Sequence, residues 1–331
     1  MEGLTFVDVC SGAGGLALGL EQAGFEPRLL LDDDDDAVAT LRANRPHWNV
    51  LGTDLLDFDP SEHRESYDVD LLSAGLPRVK SSATVRRSES ELEERLLEAT
   101  VYLAHAIKPR AVIIENVPDL AHSDRYQRFR DFARAELAHL GYGFSWFVVN
   151  AVDFGVPQNR KQGVLVAVER RWAGAFRAPA PTVTEPRTVG ATLAQSMATR
   201  GWSGAARWAA QADQPAPTLV GGSKNRGGAD LGPTGAKRKW ATMGVNAHTV
   251  GNEVPGPDFV WDPRLGREHM VKITVEQAAM LQGFPESWQV AGLKTARYRQ
   301  VGHATPPPVA KALGLAVAEA LLSEPATPAA G

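Results

Sequence analysis

The sequence has a single cysteine, Cys10, so an intramolecular disulfide and a multi-cysteine zinc site are both excluded, and one thiol remains for any covalent chemistry. It has no run of about 18 apolar residues, the length a membrane-spanning helix needs. The first residues, Met1-Glu2-Gly3-Leu4-Thr5-Phe6, lack a basic segment followed by an apolar one, so no signal peptide is expected and the expected compartment is the cytoplasm. Excess positive charge is missing too. The formal net charge is -4, which does not by itself suggest a nucleic-acid partner, because a basic footprint must be local to act. No internal repeat is found, and neither a metal nor a membrane is expected as a partner.

What is present is an ordinary globular composition, 44% hydrophobic and 22% charged over 331 residues, enough for one large domain or two smaller ones. Thr5 to Cys10 alternates into an apolar strand, Ser11-Gly12-Ala13-Gly14-Gly15 gives a turn, and Leu16 to Ala23 carries helical spacing that ends at Gly24. Further strands are expected at Arg28 to Leu31, Val50 to Gly52, Val69 to Ser73, Ala111 to Glu115, Phe144 to Val149 and Gly163 to Val168. Helices are expected at Ala37 to Asn44, Glu91 to Ile107 and Arg125 to Leu140. Alternation of strands and helices over about 170 residues predicts an α/β fold with a doubly wound, largely parallel sheet. From Arg177 to about Arg267 the texture becomes rich in Pro, Gly, Ala and Thr, which predicts a second, smaller domain or a set of recognition loops. Helical spacing returns at Thr274 to Gln282 and Pro308 to Leu322, and the tail Ser323 to Gly331 reads as disordered.

A glycine turn at the carboxyl end of a strand presents backbone N–H groups and a helix N-terminus to a polar ligand, although it also occurs as a purely structural turn. Asp32, ending the next strand, is placed to accept ribose hydroxyls, and Asp54, after the third, to meet an adenine edge. The run Asp32 to Asp36 also reads as a solvated charge cluster, and Asp35 and Asp36 suit the positive end of a helix dipole. Glu115, ending an apolar strand, can donate or share a proton in the ligand crevice, or cap the following helix. Arg160 can bridge a base or phosphate, or pair with an acid. Between Gly221 and Trp240 the cations Lys224, Arg226, Lys237, Arg238 and Lys239 face one acid, Asp230, a footprint for phosphate or a solvated basic loop.

In this order the segments resemble the cytosine-5 DNA methyltransferase family, over roughly Leu4 to Val168 and Ile273 to Glu319. Asp8-Val9-Cys10-Ser11-Gly12-Ala13-Gly14-Gly15 is similar to the family's S-adenosylmethionine loop, Glu115-Asn116-Val117 to its Glu-Asn-Val motif, and Gln158-x-Arg160 to the start of its Gln-x-Arg-x-Arg motif, whose last Arg is Gln162 here. Leu281-Gln282-Gly283-Phe284-Pro285 and Tyr298 to Ala310 are further matches, with His303 where the family usually has Asn. The resemblance implies a methyltransferase domain over 1–176, a target-recognition region over 177–267, and a segment 268–322 that completes the first domain. It implies S-adenosylmethionine held by Cys10, Ser11, Gly12, Gly14, Gly15, Asp32, Asp54, Leu55, His303 and Thr305. It also implies DNA as partner, with Glu115 and Arg160 at a flipped cytosine and a cysteine thiolate adding to carbon 6.

That cysteine follows Pro in the family's Gly-Gly-Pro-Pro-Cys turn, and here the aligned residues are Ala74-Gly75-Leu76-Pro77-Arg78. A guanidinium stays protonated and has no lone pair for attack. The segment Val79 to Arg95 contains no Gly, although the family has a Gly-containing mobile loop there. The expectation is a catalytically impaired or non-catalytic member that binds S-adenosylmethionine and DNA. The alternative is an active S-adenosylmethionine-dependent methyltransferase, working with a protein partner or on another substrate.

Overall fold

The computed structural model describes residues 3–77, 87–222 and 228–325. The first strand, β1 (Thr5–Val9), is buried throughout, as five residues of mostly apolar and β-branched type require. It runs through a glycine turn into helix α1 (Gly15–Gln22), and then come β2 (Glu26–Asp32), α2 (Asp35–Asn44) and β3 (Val50–Gly52). The start of α2 is set by the acidic run: Asp34 accepts the Asp36 N–H at 3.0 Å as N-cap, and Asp35 and Asp36 fill the first turn.

Next are β4 (Leu71–Gly75), α3 (Arg87–Ile107), β5 (Ala111–Asn116), α4 (Asp119–His122), α5 (Gln127–His139), β6 (Tyr142–Asn150), β7 (Gln158–Asn159), β8 (Lys161–Glu169) and α6 (Arg170–Ala173). Then follow α7 (Val189–Ala198), α8 (Ala205–Gln211), β9 (Ala216–Pro217), α9 (Thr234–Thr242), α10 (Val275–Leu281), α11 (Lys294–His303) and α12 (Pro307–Leu322). The strand expected from Val69 begins at Leu71, because Asp70 turns its carboxylate to the Thr5 N–H, at 2.8 Å, and to Arg110, at 2.7 Å.

Seven strands form one sheet in the order β3-β2-β1-β4-β5-β8-β6. The pairings of β1 with β2 and β4, of β2 with β3, and of β4 with β5 are parallel, whereas β5 with β8 is antiparallel. Chain order reverses between β1 and β4. Ligands of doubly wound sheets bind beyond the carboxyl ends of the strands at such a switch point. One face is a continuous apolar core in which Val7, Val9, Leu29, Leu31, Leu72, Ala74, Val112, Ile114, Leu165 and Ala167 pack against Leu97, Val101 and Ala104 of α3 and Phe129 and Ala133 of α5.

The contacts divide the chain into two units. One comprises Met1–Val149, Lys161–Ala180 and Val309–Gly331, and holds the sheet; the other comprises Asn150–Arg160 and Pro181–Pro308. The stretch 268–308, expected to complete the sheet domain, thus groups with the second unit, and only the chain from Val309 groups with the sheet. Hydrogen bonding accounts for this: α10 is fixed by a Thr274/Gln277 capping box, and Gln277 Nε2 donates to Ser196 Oγ of α7 at 3.1 Å. Helix α11 went unforeseen because it has no apolar stripe. It buries Tyr298, Gln300, Val301 and Gly302, and the Gly302 backbone lies so close to Gly221 that a Cβ would come within 2.4 Å.

Candidate active site

The turn after β1 is built from residues that accept a left-handed backbone. Cys10 (φ 53°), Gly12 (φ 54°) and Gly14 (φ 80°) all lie there, and Gly14 precedes the first turn of α1. Ser11 N–H donates to Leu31 O at 3.1 Å and Ser11 Oγ to Asp8 O at 3.1 Å, which hold the turn to β2 and β1. Gly12 N–H donates to Asp32 Oδ2 at 2.8 Å, and Asp34 N–H to Asp32 Oδ1 at 2.9 Å. Asp32 therefore spans the switch point and keeps a lone pair on each oxygen for ligand hydroxyls. A Cβ at Gly12 would meet nothing within 4 Å, so the turn borders open space. Asp54 Oδ1 accepts the Leu56 N–H at 2.9 Å, and Leu55 is buried in the apolar core.

Three ionisable groups here are displaced in one direction. Burial raises Asp8 to about 7, against the pull of the Ser73 hydroxyl. Burial also raises Asp32 to about 6, opposed by its two backbone N–H donors. Cys10 is pushed well above the usual thiol range by burial and then by Asp32 and Asp8, which keeps it a thiol and not a thiolate at neutral pH.

Register places the polar side chains on one face. Directly paired residues project to the same side, and successive residues alternate. Asp8 pairs with Ser73 and Leu30, Ser73 with Ile113, Gly75 with Glu115, and Glu115 with Val164. Asp8, Asp32, Ser73, Glu115 and Gln162 therefore lie on the face opposite Val7, Val9, Leu72 and Ile114, among the buried Phe6, Leu30 and Ile113. Glu115 is buried at the end of β5. Its neighbour Asn116 donates from Nδ2 to Pro77 O at 3.3 Å and accepts the Val117 N–H at 2.8 Å, tying the turn after β4 to the end of β5. Arg78, immediately beyond, lies outside the described residues.

The other motif residues belong to the second unit and are held to each other. Gln158 Nε2 donates to Gln282 Oε1 at 2.5 Å and to Leu281 O at 3.3 Å, while its Oε1 accepts the Leu219 N–H at 2.8 Å. Gln282 in turn donates to Ala304 O. Arg160 is wholly buried and donates to Leu219 O at 2.9 Å and His303 O at 3.5 Å, both main-chain carbonyls. His303 ends α11 with Nε2 3.1 Å from Gly222 O, and Thr305 is buried. Of the recognition cations, Arg238 and Lys239 are exposed on α9, and Lys237 pairs with Asp230 at 2.8 Å. Trp240 is part of the unit's interior, so its ring is not offered to a base. Lys224 and Arg226 lie outside the described residues. Among the described residues no group of three or more His, Cys, Asp or Glu is arranged to hold a metal, and no helix is long and apolar enough to cross a membrane.

Sequence reasoning placed Asp8, Asn116, Gln158 and Gln282 in motifs without a role for each, and it missed Ser73 and the burial of Gln162. Asp8 was findable, since a lone acid inside an apolar strand is costly unless a partner meets it. The motifs named Gln158 and Gln282, and nothing in the pattern showed that they bond to each other.

The C-5 cytosine-specific DNA methylase family matches residues 4–319. The chain is 43% identical to the Type II methyltransferase M.NaeI of Lentzea aerocolonigenes, over 98% of this chain and 77% of that protein. It is 36% identical to the Type II methyltransferase M.NgoMIV of Neisseria gonorrhoeae, over 97% and 99%. In fold it is similar to the Entamoeba histolytica methyltransferase EhMeth (TM-score 0.67, 13% identity, 98% and 100% covered) and to the S. pombe Dnmt2 methyltransferase (TM-score 0.62, 15% identity, 97% and 99% covered). With a glycine turn at the switch point, a glutamate ending β5 and a match that runs nearly end to end, the chain belongs to the C-5 cytosine-specific DNA methylase family.

Proposed function

We propose that this chain binds S-adenosylmethionine in the turn after β1 and DNA through its second unit, and that it does not methylate cytosine by the covalent route. S-adenosylmethionine is the family's cofactor and supplies an electrophilic methyl group when bound. The residues present fit it. Asp32 offers a lone pair on each oxygen for ribose hydroxyls, Asp54 stands after the third strand for the adenine edge, and the backbone at Cys10, Ser11, Gly12, Gly14 and Gly15 leaves open space at Gly12. Glu115, buried on the same face, holds the ring nitrogen of a base taken out of the duplex. Arg238 and Lys239, joined by Lys224 and Arg226, take the phosphates.

One observation carries the non-covalent reading: the position after Pro77 is Arg78. Its guanidinium cannot add to carbon 6. The one thiol in the chain, Cys10, sits in the cofactor turn with its proton held. Incubation with methyl-labelled S-adenosylmethionine and duplex DNA of mixed sequence is expected to leave cytosine carbon 5 unlabelled, and label there overturns the reading. Arg78→Cys alone is expected not to restore full activity, because the segment after it lacks Gly. Calorimetric titration with S-adenosylmethionine checks cofactor binding separately.

A further inference from the structure

Helices α7 and α10 are tied by the bond from Gln277 to Ser196, and beside that tie lies a cavity of about 210 Å³. Every residue that lines it belongs to the second unit. The volume falls below the roughly 300 Å³ at which sites for drug-sized ligands begin, and suits one long side chain. Part of the lining is apolar: Ala279 and Met280 from α10, then Pro285 and Trp288 from the turn that follows. Trp288 is 6% exposed, its ring lies 5.7 Å from that of Phe284 between centroids, and its main-chain N–H donates to Pro285 O at 2.9 Å. The indole is therefore a fixed wall. The polar lining is rich in acceptors, and among the described residues it contains no Lys, Arg or His. Glu276 already holds one guanidinium, with Oε1 2.5 Å from Arg297 Nη2. Glu286 is exposed and has no ion-pair or hydrogen-bond partner among the described residues. Thr199 directs its hydroxyl hydrogen to Ser196 O at 2.8 Å, which leaves its oxygen as an acceptor, and Gln195 adds an amide.

We propose that this cavity takes the side chain of an arginine presented by a partner protein, with the alkyl stem along Trp288 and Met280 and the guanidinium at Glu286. Charge and shape select that group. An anion meets two carboxylates, and a neutral apolar group covers Glu286 without giving it a donor. A cation on an apolar stem suits both parts of the lining. Guanidinium is favoured over ammonium because its planar fork pairs with a carboxylate, lies against an aromatic ring and sheds water more readily. The uncharged rim of Gln195, Ser196 and Thr199 matches the amides on either side of such an arginine, which points to a residue within a chain and not to a free guanidine. A single arginine seated beside a tryptophan is also the kind of contact that carries much of the energy of a protein interface.

The test uses the full chain labelled with carbon-13 at its methionine methyl groups, of which there are 5, so that Met280, identified by Met280→Leu, reports on the cavity alone. The probes are a short capped alanine peptide with one central arginine, the same peptide with lysine or citrulline in that place, and ethylguanidinium. The Met280 signal is expected to move saturably with the arginine peptide, to need several times more of the lysine peptide or of ethylguanidinium, and not to move with citrulline, which keeps the shape and lacks the charge. Glu286→Gln is expected to weaken the arginine peptide about fivefold, the worth of one partly exposed charge pair, with the melting temperature unchanged because the side chain is exposed. Glu286→Lys is expected to abolish the response. A Met280 signal that ignores the arginine peptide, or responds equally to citrulline, overturns the proposal, as does an unchanged affinity in Glu286→Gln. Ethylguanidinium binding as tightly as the peptide also overturns it, since the site would then serve a small free guanidine and not a partner protein.

Discussion

Ser73 donates its hydroxyl to Asp8 across the β1/β4 pair at 2.5 Å, and the other oxygen of that buried carboxyl, Oδ2, has no hydrogen-bond partner. Burial outweighs the Ser73 bond, so the folded protein keeps the Asp8 proton up to about pH 7, while the unfolded chain releases it near pH 4. Between those values the unfolded state holds fewer protons, so stability falls as pH rises and levels off above the folded value. Asp32, raised to about 6, acts in the same direction. Chemical denaturation at pH 5 and pH 8 is expected to show the protein less stable at pH 8 by an amount on the order of a few kcal/mol. Asp8→Asn is expected to flatten that slope, and an unchanged slope would show that Asp8 is ionised in the fold.

Asp32 has both a structural and a ligand-facing duty. Its two oxygens satisfy the N–H groups of Gly12 and Asp34. Asp32→Ala strands both donors, which costs about 1–3 kcal/mol each where they are out of reach of water, and loosens the turn. Calorimetry is expected to show S-adenosylmethionine affinity reduced at least about tenfold; a loss of stability with affinity intact would mean the turn binds without its strut.

Gly163 is the place where β8 meets the end of β5. Gly163→Ala sets a methyl group 2.4 Å from Val117 O and 3.1 Å from Pro118 O, atoms of the backbone that cannot rotate away. A loss of about 1–3 kcal/mol is expected from such overpacking, read as a shift of the urea midpoint. An unmoved midpoint would show that the Val117–Pro118 turn gives way freely.

Helix α10 depends on its cap. Thr274 Oγ1 accepts the Gln277 N–H at 3.2 Å, and Gln277 Oε1 accepts the Thr274 N–H at 3.1 Å. Thr274→Ala is expected to cost about 1 kcal/mol, with Thr274→Ser recovering most of it. Equal losses in the two variants would place the effect in the methyl group and not in the cap.

The legible part of this protein was the part written in local pattern. Alternating apolar strands and helices over the first 170 residues gave the layers of the sheet, and glycines with acids at strand ends located the turn, Asp32 and Glu115. Side chains whose identity is set by a distant partner stayed hidden. Gln158 and Gln282 are 124 positions apart, and although each sits in a motif, nothing in the sequence showed that they bond to each other. Arg160 looked like a ligand-facing cation or an acid's partner, and it donates to the main-chain carbonyls of Leu219 and His303, because a buried guanidinium can brace a loop as well as bind a phosphate. Helix α11 escaped because its buried residues include Gln300 and Gly302, chosen for hydrogen bonding and close approach and not for an apolar stripe.

The sheet carries Asp8, Ser73, Glu115 and Gln162 on one face, among the buried Phe6, Leu30, Leu71, Ile113 and Val164, and a larger apolar cluster on the other. Such a sheet keeps its layers when a residue at a strand's carboxyl end changes. Cohesion comes from buried apolar side chains on both faces, so an exchange at the very end of β4 or the start of β8 leaves most of the interior's contacts in place. A lineage can thus exchange a side chain at the end of a strand while the layers beneath it persist.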